Sequence, residues 1–159
     1  MPIVYAVVGD PEVAVLAGNL PGSLRTLRAL ILNDREARGM TGVDDTDRAA
    51  AHLARLGTTV VVTCGRSGAL ATEPNGRVLR VEAPVVDVHD PTGAGDLFTA
   101  AYVWADLAGR SLDDRLALAG AYASLSLAAT SNRQKGLTAE QFALALAARG
   151  QAHLWLEEA

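Results

Sequence analysis

The sequence predicts an α/β protein, with a layered, mostly parallel sheet flanked by helices. Three observations carry this. Short apolar or β-branched runs, Ile3–Val8, Ile31-Leu32 and Thr58–Thr63, alternate with helical patterns. A glycine-rich segment, Asp90-Pro91-Thr92-Gly93-Ala94-Gly95-Asp96, leads straight into the apolar run Leu97, Phe98, Ala100, Ala101, Tyr102, Val103 and Trp104. That pattern reads as a loop opening a buried helix. Two further helical stretches follow it. In sheets of this kind ligands bind at the carboxyl ends of the strands.

Taken in order, Ile3–Val8 is a buried strand stopped by Gly9-Asp10-Pro11, and Val13–Leu16 reads as another extended piece. Pro21-Gly22-Ser23 opens a short helix through Leu24, Leu27 and Leu30, spaced at three. Ile31-Leu32 is a brief strand that delivers Asn33. Asp44 or Asp45 caps a helix whose apolar side carries Ala49, Leu53 and Leu56, and Gly57 ends it. Thr58–Thr63 is the clearest strand. Ala69–Thr72 and Val78–Val81 flank Pro74-Asn75-Gly76, a hairpin signal. Val85–Val88 is a last strand before the glycine-rich loop, and helices are expected at about 93–108, 112–130 and 138–148.

Composition narrows the function. At 159 residues the chain fits a single domain that hides roughly 70% of its unfolded surface on folding. Half the residues are hydrophobic, which excludes a disordered chain. The net charge is −4, with 14 basic against 18 acidic residues and no basic block, so nucleic acid is not expected as a partner. Cys64 is the only cysteine, and residues 1–9 carry no signal-peptide pattern. A reducing, cytoplasmic setting follows. The longest uncharged run, 116–132, falls short of the ~20 apolar residues of a membrane span and reads as a buried helix.

The glycine-rich loop carries the chemistry. Gly93 and Gly95 let backbone N–H groups face outward, and a helix amino terminus adds a positive dipole end. Together they make an anion cradle. A carboxylate such as Asp96 repels a phosphate held there, so it needs a reason. Proton removal from a hydroxyl that attacks phosphorus supplies one. The alternative is a helix acid in a tight turn. The histidines His52, His89 and His153 are scattered without zinc spacing. Cys64 reads as a small buried hydrophobe rather than a nucleophile.

Asn33-Asp34-Arg35-Glu36 lies upstream, and Thr63-Cys64-Gly65-Arg66-Ser67-Gly68 lies between it and the loop. The order Asn-x-x-Glu, Thr-x-Gly-x-x-Gly, Asp-x-Thr-Gly-Ala-Gly-Asp resembles the ribokinase-like (PfkB) sugar and nucleoside kinase family over roughly residues 30–130. The resemblance implies the following roles. Asp96 is the base that takes the acceptor's proton. Gly93, Ala94 and Gly95 form the anion hole for the transferred phosphoryl group. Thr63, Gly65, Ser67 and Gly68, with Thr92 and Gly95, run along the nucleotide phosphates; a plain strand-to-strand turn is the alternative for 63–68. Asn33 and Glu36 order magnesium, unless they are only the cap and box partner of a helix start. Asp90 and Thr92 match positions that help hold a monovalent cation such as K+, whose remaining ligands would come from residues 129–136. That stretch departs from the family's usual pattern, and Pro91 stands where threonine is common.

The implied cofactors are thus ATP and Mg2+, with K+ open, and the implied acceptor is a sugar or nucleoside. Family members are much longer. Residues 1–159 correspond to their C-terminal, nucleotide-binding part, without the N-terminal substrate and lid part. A natural truncation, an engineered fragment or one half of a split enzyme would each fit. The chain is expected to be inactive alone and to form an oligomer or join a partner half. A non-catalytic remnant that binds nucleotide or a partner protein is the alternative function.

Overall fold

The computed structural model describes residues 3–129 and 135–155. By its Cα packing the chain divides into two compact units, Met1–Val81 and Glu82–Ala159.

The first unit is a five-stranded sheet with helices. Its elements are β1 (Tyr5–Val7), α1 (Asp10–Leu16), β2 (Ala29–Asn33), α2 (Asp34–Thr41), α3 (Thr46–Ala54), β3 (Thr59–Thr63), β4 (Ala69–Thr72) and β5 (Val78–Val81), in the sheet order β1-β2-β3-β4-β5. The helix-linked strands β1, β2 and β3 run parallel, as expected of strands joined by crossovers. The β3–β4 and β4–β5 pairs are antiparallel, so the sheet is mixed. The hairpin read at Pro74-Asn75-Gly76 joins β4 to β5 with Ala69 opposite Val81.

Side chains alternate across the strands. Leu30, Leu32, Val60, Val62 and Leu70 share one core with Ala37 and Met40 of α2 and with Ala49, Ala50 and Leu53 of α3. Ala29, Ile31, Val61 and Ala71 point the other way and are also buried. Burial on both faces explains why β2 and β3 read as continuous apolar runs rather than alternating ones. Asp45 caps α3, its Oδ1 accepting from Arg48 N at 2.8 Å.

Three local expectations are corrected. Val13–Leu16 is not extended but belongs to α1. Pro11, Asp10 and Glu12 favour a helix start, and Val13 and Leu16, three apart, both pack on the core while Val15 is exposed. The helix from Pro21 stops early, as a 3-10 turn over Gly22–Thr26. Leu30 is not on it but in β2, where it lies opposite Ala6 and Val60. Val85–Val88 forms no strand; Val85 is fully exposed, and no described strand ladders with it. β-branched residues favour strands through neighbours, and here none is provided.

The second unit is helical: α4 (Ala94–Leu107), α5 (Leu112–Leu127) and α6 (Ala139–Ala148). The end of the expected 112–130 helix and the run to Asn132 lie partly outside the described residues. Ala105, Leu118, Ala121, Phe142, Leu146 and Leu154 make the core. Trp104 stacks on Trp155 at 5.0 Å, and Phe142 meets Tyr122 and Trp155 edge-on, geometries that aromatic quadrupoles prefer. Ser111 caps α5 and Thr138 caps α6. Among the described residues no helix is long and apolar enough to cross a membrane.

Candidate functional site

The expected site residues fall in both units.

In the first unit, Asn33 ends β2 and Thr63 ends β3, and the two are register partners in a parallel pair. The sheet therefore brings the leading residues of two motifs to the carboxyl ends of adjacent strands. Asn33 is also the cap of α2. Its Oδ1 accepts from Glu36 N at 2.8 Å, and its own N–H donates to Glu36 Oε2 at 2.6 Å. This reciprocal pair satisfies two orphan donors of the helix start. The structural role raised for Asn-x-x-Glu is thus real, and it fixes Glu36 Oε2, in a nearly buried residue, beside the strand end.

Thr63 leads into a 3-10 turn, Gly65–Ser67, that returns as antiparallel β4. Cys64 N donates to Gly68 O at 2.8 Å and Ser67 N to Cys64 O at 3.0 Å. Gly65 and Gly68 both have positive φ, 55° and 87°, which the tight turn requires. Cys64 packs against the core, and burial pushes its thiol pKa up, so it is held as the thiol. His52 is exposed on α3.

In the second unit the glycine-rich loop opens α4. Gly93 is its cap residue, at φ 79°, a left-handed conformation that a side chain strains. No side chain caps this helix. The N–H groups of its first turn, Gly95 and Asp96 among them, have no partner one turn back. Ala94 N donates to Pro91 O at a long 3.3 Å. Gly95 differs from Gly93: its φ is ordinary, and a Cβ built on it meets no heavy atom within 4 Å. The fold does not need glycine at 95. Asp96, in the first turn of α4, is exposed and makes no side-chain hydrogen bond or ion pair among the described residues. Its carboxylate is not used as a cap.

Asp90 and Thr92 form a separate arrangement. Asp90 Oδ1 accepts from Thr92 N at 2.9 Å. Lys135 donates from Nζ to Asp90 Oδ2 at 2.6 Å, to Thr92 O at 2.6 Å and to Asp90 O at 3.3 Å. The hydrogen bond from Lys135, with that from Thr92, holds the Asp90 carboxyl down at about 2. The oxygens expected to hold a monovalent cation are thus taken by an ammonium, and they do not fit a K+ ion beside it. Residues 130–134 of the stretch expected to complete that site lie outside the described residues. Lys135 lies inside that stretch, and its one signal in the sequence is that it is the only lysine in the chain.

The candidate regions are thus the strand ends carrying Asn33 and Thr63 in the first unit and, in the second, the start of α4, which no side chain caps. Residues 21–138 match the family model described as pfkB family carbohydrate kinase, and the chain belongs to that family. It is 37% identical over 102 residues to the bifunctional protein HldE of Azorhizobium caulinodans, covering 60% of this chain and 21% of that protein. A probable sugar kinase from Rhizobium etli CFN 42 superposes with a TM-score of 0.80 at 24% identity, over 94% of this chain and 45% of that one. Arabidopsis thaliana ribokinase, solved with ribose and ATP, gives 0.76 at 26% identity, over 91% and 47%. The chain thus spans about a fifth of the curated relative and under half of these solved kinases.

Proposed function

We propose that this chain is the nucleotide-binding part of an ATP-dependent sugar or nucleoside kinase. One observation carries the reading: at the start of α4 an unpaired Asp96 follows a glycine, Gly95, that the fold does not require. Family membership and the ribose and ATP held by the Arabidopsis ribokinase support it.

In this reading the acceptor's hydroxyl gives its proton to Asp96 as its oxygen attacks the γ-phosphorus. The bond from that phosphorus to the bridging oxygen breaks, and ADP leaves. The N–H groups around Gly93, Ala94 and Gly95 stabilise the charge on the transferred group; one such donor is worth ~10²–10³ in rate. The resemblance assigns Thr63, Gly65, Ser67 and Gly68 of the first unit, and Thr92 of the second, to the nucleotide phosphates. Asn33 and Glu36 are oxygen donors suited to Mg2+, which supplies charge neutralisation on the phosphates. Mg2+ keeps several waters and needs few protein ligands. That fits a pair whose oxygens are partly committed to the cap of α2.

The proposed setting is cytoplasmic. Turnover depends on positioning two substrates and excluding water, and the chain matches under half of the solved kinases. We therefore assign turnover to an assembly that also contains the part of the kinase that these residues do not match. The exposed apolar residues Ile3 and Val7, beside and on the edge strand β1, favour such an association in the first unit.

The test is a kinase assay on pentoses, hexoses and nucleosides. The chain should be silent alone and active once fused to the N-terminal half of a related kinase. Asp96→Asn should then cut turnover ~10²–10⁴-fold with nucleotide affinity unchanged. Normal turnover in that variant would reduce Asp96 to a helix acid.

A further inference from the structure

The chain contains one lysine, and the other thirteen of its 14 basic residues are arginine. That lysine is 6% exposed and spends its ammonium on three oxygens of the segment just ahead of α4. Its own segment is tied down close by: Leu137 N donates to Tyr122 Oη at 3.0 Å, and Leu137 packs on the helical core. We infer that the Lys135 ammonium is a tethered substitute for a monovalent cation, holding the Asp90–Thr92 segment in place without K+.

The oxygen set supports this. One carboxylate oxygen and two main-chain carbonyls are hard, partly negative ligands of the kind an alkali cation takes. An ammonium carries the same single charge on a compact head, with three N–H donors to match three acceptors. An arginine would not serve, because its planar fork suits two coplanar oxygens rather than three around a point. A second cation at these oxygens would face the ammonium, whose own side chain is buried, at like charge. The tether also removes the cost of capturing an ion from solution. Asp90 Oδ1 meanwhile binds Thr92 N, so the ammonium fixes the turn from both sides. Gly93, the cap of α4, is the next residue. Lys135 is thus a positioning residue for the α4 amino terminus.

The test needs no nucleotide, so its outcome is separate from that of the kinase reading. Thermal melting of the full chain is compared in potassium chloride and in tetramethylammonium chloride at equal ionic strength. The wild type should melt at the same temperature in both. Lys135→Ala should melt lower in tetramethylammonium, by about 4 °C or more, and potassium should restore part of the loss. A merely structural lysine would give a deficit that no cation rescues. Lys135→Arg should also melt lower in both salts. A wild type stabilised by potassium but not by tetramethylammonium would overturn the inference, and so would a Lys135→Ala protein indifferent to the salt. Should Lys135→Ala not fold, thallium-205 resonance on the wild type decides: no broadening is expected, and specific broadening by the protein would refute the tethered cation.

Discussion

Asn33 and Thr63 lie side by side as register partners, each the last residue of a parallel strand. Two motifs separated by thirty residues of sequence are thereby joined by one ladder. Neighbouring strands lie about 4.8 Å apart. Any ligand that contacts the start of α2 is therefore within reach of the turn that follows Thr63. Asn33 also closes the capping box with Glu36, so one side chain both starts a helix and marks the strand end.

Asn33→Ala should remove that box. The loss of the cap should cost about 1 kcal/mol of stability. It should also release Glu36, so magnesium-dependent nucleotide binding should weaken beyond what the stability loss explains. Urea unfolding gives the first quantity and titration with and without Mg2+ the second. An unchanged midpoint would show that the box is not formed in solution.

Gly95→Val separates fold from function. A Cβ at 95 meets nothing within 4 Å, and its φ is ordinary, so the fold should tolerate the change to within about 0.5 kcal/mol. Nucleotide binding should be lost, because the side chain blocks the backbone approach. A variant that unfolds would show that glycine at 95 serves the fold.

Much of this was legible in the sequence, for identifiable reasons. Glycine, aspartate and an abrupt apolar run mark the start of α4 because only a few residues permit that turn, and the helix begins at Ala94, one residue after the expected 93. β-branched residues mark β3 for the same kind of local reason. The failures occurred where partners decide. Val13–Leu16 has strand composition but helix spacing, and contact of Val13 and Leu16 with the core selects the helix. Leu30 continues a spacing of three, yet the sheet claims it. Val85–Val88 has strand residues and no strand partner among the described residues. The sequence reading draws no boundary near Val81, because nothing in composition changes there. Ser111-x-x-Asp114, the cap of α5, is a local pattern of the sequence, with Asp114 N donating to Ser111 Oγ. Lys135 needed the structure, since no sequence rule pairs it with Asp90, 45 residues away.

The Asp90–Lys135 pair gives a pH dependence. The Asp90 pKa is depressed in the folded state, to about 2, through the hydrogen bonds from Lys135 and Thr92. A depressed carboxylate contributes stability that is present above its unfolded pKa, about 3.9, and lost as pH falls through the folded one. Melting temperatures of the wild type should therefore fall more steeply between about pH 4 and pH 2 than those of Asp90→Asn. Parallel curves for the two proteins over that window would show that the pair contributes nothing.

The most direct test of the account is calorimetric titration of the chain with magnesium-ATP. The proposal predicts saturable binding, lost in Gly95→Val and retained in Asp96→Asn, because the backbone cradles the phosphates while the carboxylate waits for the acceptor. No heat at millimolar magnesium-ATP, with a folded protein in the cell, would contradict the claim that this chain holds the nucleotide.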